Sequence, residues 1–256
     1  MFFLYQVTIL ILLSLSPIIL IIRILKKKED NKRFTEKFSL PSKKRKSGKV
    51  IWFHGASVGE ILSIIPLIKN YEKNKQVAQI LVTSSTLSSS KILEKFKFSK
   101  TVHQFYPIDY FFFTRKFLKY WKPNVAIFVD SEIWPSMFMN IKINKIPLLL
   151  LNARLTKKTF NRWMKLKEFS RSVFHNITVA YPQNFETKVY LKKLKARKIN
   201  NLGNLKFAEN HEENLDKIDK KLKKELQKKR IWVASSTHQN EELFCAKTHI
   251  ELKKKI

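Results

Sequence analysis

VIWFHGASVGEILSIIPLIKNY, residues 50–71, is the stretch whose reading decides the fold. Val50, Ile51, Trp52 and Phe53 form a short apolar run of β-branched and aromatic residues, the composition of a buried strand. Small residues follow (Gly55, Ala56, Ser57), and apolar side chains then recur at Ile61, Leu62, Ile64, Ile65 and Ile68. That recurrence predicts an amphipathic helix with a wide buried face. Strand, glycine-bearing turn and helix make the opening unit of a doubly wound α/β domain. Glu60 stands at the turn, with His54 and Ser57 close by in sequence.

Working outward, the same alternation continues. Apolar runs predict strands at 50–54, 79–83, 103–106, 125–129, 147–151 and 177–181, with helices at about 59–72, 88–97, 110–120, 134–143 and 160–174. Short apolar strands alternating with helices imply parallel strands joined by right-handed crossovers. Such sheets bind ligands outside the carboxyl ends of their strands. A lysine-rich segment, 211–229, reads as helix or linker. Ile231 to Ser235 then predicts a fresh strand, followed by a helix at about 240–253. One strand and one helix cannot bury a core by themselves.

Phe2 to Ile22 contains no charged residue and is long enough for a helix to cross a bilayer core of about 30 Å. Arg23, Lys26, Lys27, Lys28, Lys32 and Arg33 follow, with nothing basic before them. A cleaved signal peptide would need a basic start and a small-residue cleavage site, which this stretch lacks. The expectation is therefore a single transmembrane anchor at 2–22, a basic juxtamembrane linker at 23–49 and a cytoplasmic body. The net charge of +31 suits an anionic partner, whether nucleic acid, acidic membrane or phosphorylated substrate, although drift toward lysine gives the same excess. The single cysteine, Cys245, excludes an internal disulfide framework. No metal-ligand spacing, Walker A loop, G-x-G-x-x-G or G-x-S-x-G elbow is present.

Chemistry-bearing residues cluster just after the predicted strands. Ser57 and Glu60 fit an S-x-x-E capping box, which is a structural use of both side chains. The helix dipole would lower the pKa of a carboxylate at that place, and burial would raise it. Gly59 would let a ligand approach the backbone. Asp130 and Glu132 follow the fourth strand, and Arg154 follows the fifth. An Arg there can clamp a carboxylate or phosphate, or form an ion pair with Glu132.

His54 to Glu60 (HGASVGE) resembles the HxxSVGE signature of the 3-deoxy-D-manno-octulosonic acid (Kdo) transferases. Four further segments resemble that family in order. Asp130–Pro135 resembles ExELWP, with Glu132 on its second Glu; Asn152–Thr156 resembles NARLS. Gly203–Phe207 resembles GNLKFD, and Ala234–Glu242 resembles ASSTHxGEE. A Thr-rich family turn is also matched by Thr83–Thr86, with serines in place of its later Gly. The resemblance covers about residues 1 to 250 and implies a GT-B-type glycosyltransferase. Its N-terminal Rossmann-like acceptor domain would occupy 50–208, with an interdomain segment and the start of a nucleotide domain at 209–256. The implied reaction is metal-independent, inverting transfer of Kdo from CMP-Kdo to the lipid A precursor (lipid IVA), with Glu60 as general base. Ser57, Gly59, Glu132, Arg154, Lys206, Ser236 and His238 are the implied substrate-binding residues. CMP-Kdo is the donor substrate and no cofactor is implied. The expected partners are the lipid A precursor, CMP-Kdo and anionic lipids of the bacterial inner membrane, with no nucleic acid. Most of the nucleotide domain lies beyond this sequence, so the chain taken alone is expected to be an acceptor-side half. Two other readings stay open: a non-catalytic, truncated membrane-bound relative, and a membrane-tethered nucleic-acid-binding module.

Overall fold

The computed structural model describes residues 1–202 and 231–255. The chain divides into two units, Met1–Glu209 and Asn210–Ile256. In the first, six strands form one parallel sheet: β1 (Lys49–His54), β2 (Val77–Ser84), β3 (Thr101–Phe105), β4 (Val125–Val129), β5 (Leu148–Ala153) and β6 (Val179–Pro182), in the order β3-β2-β1-β4-β5-β6. This is the doubly wound order, reversing direction between β1 and β4. Helices α3 (Val58–Lys73) and α4 (Leu87–Glu94) connect the first three strands. After β3 come α5 (Phe111–Trp121), α6 (Pro135–Ile143), α7 (Lys157–Met164), α8 (Lys167–Phe174) and α9 (Phe185–Lys193).

Strand alternation divides the core between the two faces. Ile51, Phe53, Ile80, Val82, Ile127 and Val129 pack with Ile61, Ile64, Ile65 and Ile68 of α3 and Leu93 of α4. Val50, Trp52, Leu81, Ala126, Phe128, Leu148 and Leu150 face the other way, onto α5, α6, α8 and α9. Both faces are apolar because both are covered, which is why these strands read as unbroken hydrophobic runs. His54 falls on the Trp52 face and leaves the apolar layer at its upper end.

The six expected strands are all present, with ends displaced by one to two residues at most positions. The helix expected at 160–174 is two helices, broken at Lys165 and Leu166. Ser170 Oγ lies 2.9 Å from the Trp163 carbonyl and 2.8 Å from that of Leu166, a side-chain bond that competes with the helical ladder. Helix α9 was not expected; Asn184 caps it, accepting the Thr187 N–H at 2.8 Å. The strand expected at 231–235 is irregular chain, because no described strand lies beside it to complete a ladder, and Val233 is 81% exposed. A helix, Glu241–Lys255, follows.

The N-terminal stretch also departs from the expected single span. It forms α1 (Phe2–Ser14) and α2 (Ser16–Leu25), bent by 51°. Pro17 sits in the first turn of α2, where its missing N–H and its ring end the preceding helix. No single described helix is long and apolar enough to cross a membrane; the bent pair meets that test by length and composition. One face of α1 is fastened to the domain. Tyr5 Oη donates to Asp109 Oδ2 (2.7 Å), Gln6 Nε2 to Ser136 Oγ (2.7 Å), and the Phe111 N–H to Gln6 Oε1 (2.9 Å). Phe2 packs edge-on against Phe111. Phe3, Leu4, Leu10 and Ile11 remain exposed.

Residues 23–49, expected as a basic juxtamembrane linker, pack in part against the domain. A 3-10 helix (Phe34–Phe38) buries Glu36, which accepts two bonds from Arg33 (3.0 and 3.1 Å) and the Phe105 N–H (2.7 Å). Arg33 reaches on to His103, whose pKa is pushed down to about 3 by burial and by that guanidinium. A buried carboxylate must be paired and hydrogen-bonded, and Glu36 has both.

Candidate active site at the switch point

The loops after β1 and β4 part at the sheet's reversal point, where doubly wound sheets open their ligand crevice. A cleft of about 190 Å³ lies there, lined by Ser57, Gly59, Glu60, Asp130, Asn152 and Arg154 among others. Two of these, Asp130 (φ 63°) and Asn152 (φ 53°), hold left-handed backbone conformations as their strands end. Asp and Asn are the non-glycine residues that tolerate this best, and such conformations gather at functional sites. The two exits are tied together: the Arg154 N–H donates to the Asp130 carbonyl (3.2 Å) and Ser131 Oγ to the Arg154 carbonyl (2.8 Å).

Ser57 caps α3, its Oγ accepting the Glu60 N–H at 3.3 Å, so the expected structural use is present. The return bond differs from a standard capping box. Glu60 Oε2 takes the Ala56 N–H (2.7 Å), and Oε1 takes the Ser57 hydroxyl (2.9 Å). Gly55 makes this possible, since a Cβ there would stand 3.0 Å from Glu60 Cβ. Both bonds, like the helix N-terminus, favour the anion. Burial opposes them, and so do the charges of Glu132 and Asp130; the balance raises the Glu60 pKa above the ordinary carboxylate range. A half-buried carboxylate with a raised pKa beside a cleft is suited to taking up a proton.

Glu132 does not pair with Arg154. Its Oε2 accepts from Trp134 Nε1 (2.8 Å) and lies 3.2 Å from His54 Nε2. Arg154 is exposed, and among the described residues no carboxylate lies within ion-pair distance of its guanidinium. It lines the cleft. Gly59 is exposed and has open space where a Cβ would stand.

Of the remaining expected residues, Lys206 lies outside the described residues. Ser236 (φ 58°) and His238 belong to the second unit and are exposed. The His238 N–H donates to Glu241 Oε2 at 2.8 Å, at the start of the C-terminal helix. Thr86 caps α4, whereas Thr83 and Ser84 are buried strand residues that serve His54 and His103. His54, Thr83 and Asn152 lay within family-like segments without a role of their own, and Gln183, which lines the cleft, carried no signal. His54 alone could have been found, as a polar residue closing an apolar strand.

Fold and site together define a doubly wound α/β domain whose switch-point cleft is lined by a raised-pKa carboxylate, Asp130 and an exposed arginine, with the Glu132 charge close enough to act on Glu60. The chain belongs to the 3-deoxy-D-manno-octulosonic-acid transferase (Kdo transferase) family, whose sequence model matches residues 32–209. It is 35% identical over 258 residues to a 3-deoxy-D-manno-octulosonic acid transferase of Rickettsia bellii, covering 99% of this chain and 60% of the relative. The Rickettsia felis enzyme of that name is 39% identical over 204 residues (79% of this chain, 44% of the relative). The Haemophilus influenzae enzyme is 29% identical over 202 residues (78% and 47%). The chain thus spans between about two fifths and three fifths of these relatives. Among solved structures, a UDP-GlcNAc 2-epimerase from Neisseria meningitidis bound to UDP-GlcNAc is 12% identical, with TM-score 0.48, covering 70% of this chain and 53% of that one. At that score the likeness carries no argument.

Proposed function

We propose that this chain is the acceptor-side portion of a GT-B-type Kdo transferase, moving Kdo from CMP-Kdo to the lipid A precursor in lipopolysaccharide synthesis. The observation that carries this reading is the Glu60 carboxylate, aimed by two hydrogen bonds and raised in pKa at the switch-point cleft. Glu60 takes the proton from an acceptor hydroxyl as that oxygen attacks the anomeric carbon of Kdo. The bond to the CMP phosphate breaks, and CMP leaves with the electron pair. Displacement from the opposite face inverts the anomeric centre. The two hydrogen bonds hold the base in place, and burial with the Glu132 charge keeps it from being too weak. Arg154 holds the Kdo carboxylate or an acceptor phosphate by paired N–H bonds. Gly59 lets substrate meet the backbone, and Lys206, Ser236 and His238 are further candidates for binding substrate.

This portion sits at the cytoplasmic face of the bacterial inner membrane, with the exposed Lys26, Lys27, Lys28 and Lys32 on anionic head groups. Support comes from family membership and from the exposed apolar side chains on the bent pair.

The test uses the native protein at the length fixed by its intact mass from source membranes. Wild type, incubated with CMP-Kdo and lipid IVA, should yield Kdo-modified lipid. Glu60→Gln should lose transfer while still partitioning to membranes. Unchanged transfer in Glu60→Gln would sink the reading, and a wild type without transfer would favour the non-catalytic relative.

A further inference from the structure

His54 closes β1 with its ring buried between two partners on opposite edges. Nδ1 lies 2.9 Å from Thr83 Oγ1 and 3.2 Å from the Thr83 carbonyl, while Nε2 lies 3.2 Å from Glu132 Oε2. A neutral imidazole carries one N–H, so the two edges cannot both donate. With the proton on Nδ1, the bare Nε2 would set a lone pair against a carboxylate oxygen. With it on Nε2, Glu132 receives an N–H and Nδ1 accepts the Thr83 hydroxyl proton. Thr83 is arranged for that part. Its Oγ1 accepts the Trp52 Nε1–H at 2.9 Å, which leaves its own proton to give. The competing acceptor, the Phe53 carbonyl, is farther away at 3.4 Å. The donors therefore run in one direction, Trp52 to Thr83 to His54 to Glu132. Tyr106 stacks on the imidazole with centroids 3.9 Å apart and fixes its plane.

We propose that Thr83 is a positioning residue of this site: its hydroxyl holds His54 as the Nε2–H tautomer, and His54 holds the Glu132 carboxylate in place. His54 and Thr83 are register partners on the neighbouring strands β1 and β2. Glu132 stands in the β4–α6 loop, so the lock fastens a loop carboxylate to the rigid middle of the sheet. The titratable groups facing the ring are Glu132, from that loop, and Tyr106, after β3. This inference rests on the reading of Glu132 as a site carboxylate; the hydrogen-bond order itself does not depend on the reaction.

The experiment is ¹⁵N NMR of histidine-labelled whole chain at about pH 8, above the ordinary imidazole range. The His54 signals are assigned by their loss in His54→Gln. Wild type and Thr83→Ser should show a bare Nδ1 and a protonated Nε2. Thr83→Val leaves the bare Nδ1 facing only the carbonyl of residue 83, so the hold on the Nε2–H form should weaken and a fraction protonated on Nδ1 should appear. Trp52→Phe disturbs the same packing but leaves the hydroxyl, so it should keep the wild-type tautomer. A wild type protonated on Nδ1, or a Thr83→Val chain with the wild-type tautomer population, overturns the proposal. The wild-type spectrum decides even if Thr83→Val fails to fold. In the transfer assay, Thr83→Val should lower kcat by about 10²-fold, the order expected of a misplaced site group, with KM little changed, and Thr83→Ser should restore it. The two readings separate cleanly. If Glu60→Gln abolishes transfer while Thr83→Val keeps wild-type kcat, the positioning role falls alone. If Glu60→Gln transfers normally, the transferase reading falls and the tautomer result stands.

Discussion

Replacing Asp109 with Asn tests how α1 is held to the domain. The Asp109 carboxylate is buried, and it accepts bonds from Tyr5 Oη (2.7 Å) and from the Ser136 and Met137 N–H groups (both 2.9 Å) at the start of α6. Those three donors favour the anion, yet burial outweighs them and raises the pKa from 3.8 to about 6. The sign follows from the protons bound. Between the two values the folded chain keeps a proton that the unfolded chain has lost, so stability declines as pH rises through this window. The difference of about two units corresponds to about 3 kcal/mol at 1.36 kcal/mol per unit. The substituted side chain carries no titrating proton, and any cost of its amide facing those N–H groups is constant with pH. Urea unfolding in mild detergent, from about pH 3.5 to 7.5, should therefore show wild type losing about 3 kcal/mol relative to Asp109→Asn. A difference that stays flat, or that grows in favour of wild type as pH rises, would refute the dominance of burial over the helix N-terminus.

Glu132→Gln removes a charge that raises Glu60, so the acid limb of the kcat/KM profile for transfer should move to lower pH; an unmoved limb would separate the two carboxylates. Glu36→Gln leaves Arg33 facing a neutral amide in a buried site, and urea unfolding should show a loss of about 3–5 kcal/mol, the cost of breaking a buried pair. Gly59→Ala meets open space, so the fold should survive with helix stability unchanged or up to about 1 kcal/mol higher. Transfer should nevertheless fall, read as a raised KM, because the added methyl occupies the place kept for substrate; an unaltered KM would remove Gly59 from the site.

The inner strands β1, β2 and β4 were legible because they are buried on both faces, and residues such as Val50 to Phe53 have no polar alternation to blur them. Glu60, Glu132 and Arg154 were legible as candidates because they directly follow strand ends, and the cleft gathers Glu60 and Arg154 into one lining. What the sequence hid were contacts made across long separations. Nothing local to Tyr5 or Gln6 announces Asp109 and Ser136, more than a hundred residues away, so α1 read as a free anchor. Glu36 likewise read as one charge in a polar linker, although it satisfies the Phe105 N–H. Thr83 was legible as the end of a strand, but only the pairing of that strand with β1 sets it opposite His54.

The strand order also sets a timetable. β1 is the first strand to be synthesised and ends in the middle of the sheet, flanked by β2 and β4. Its β2 edge is covered early, but β4 begins at Val125, about 70 residues after His54. At about 5–20 residues per second, a growing chain would hold the other edge of β1 open for roughly 4–14 seconds. That edge is the apolar KVIWFH run, and an open apolar edge is a template for pairing with other chains. Slowing translation between Ser84 and Val125 lengthens that interval, so the yield of folded protein should depend on codon choice there more than in any stretch after β4 has docked.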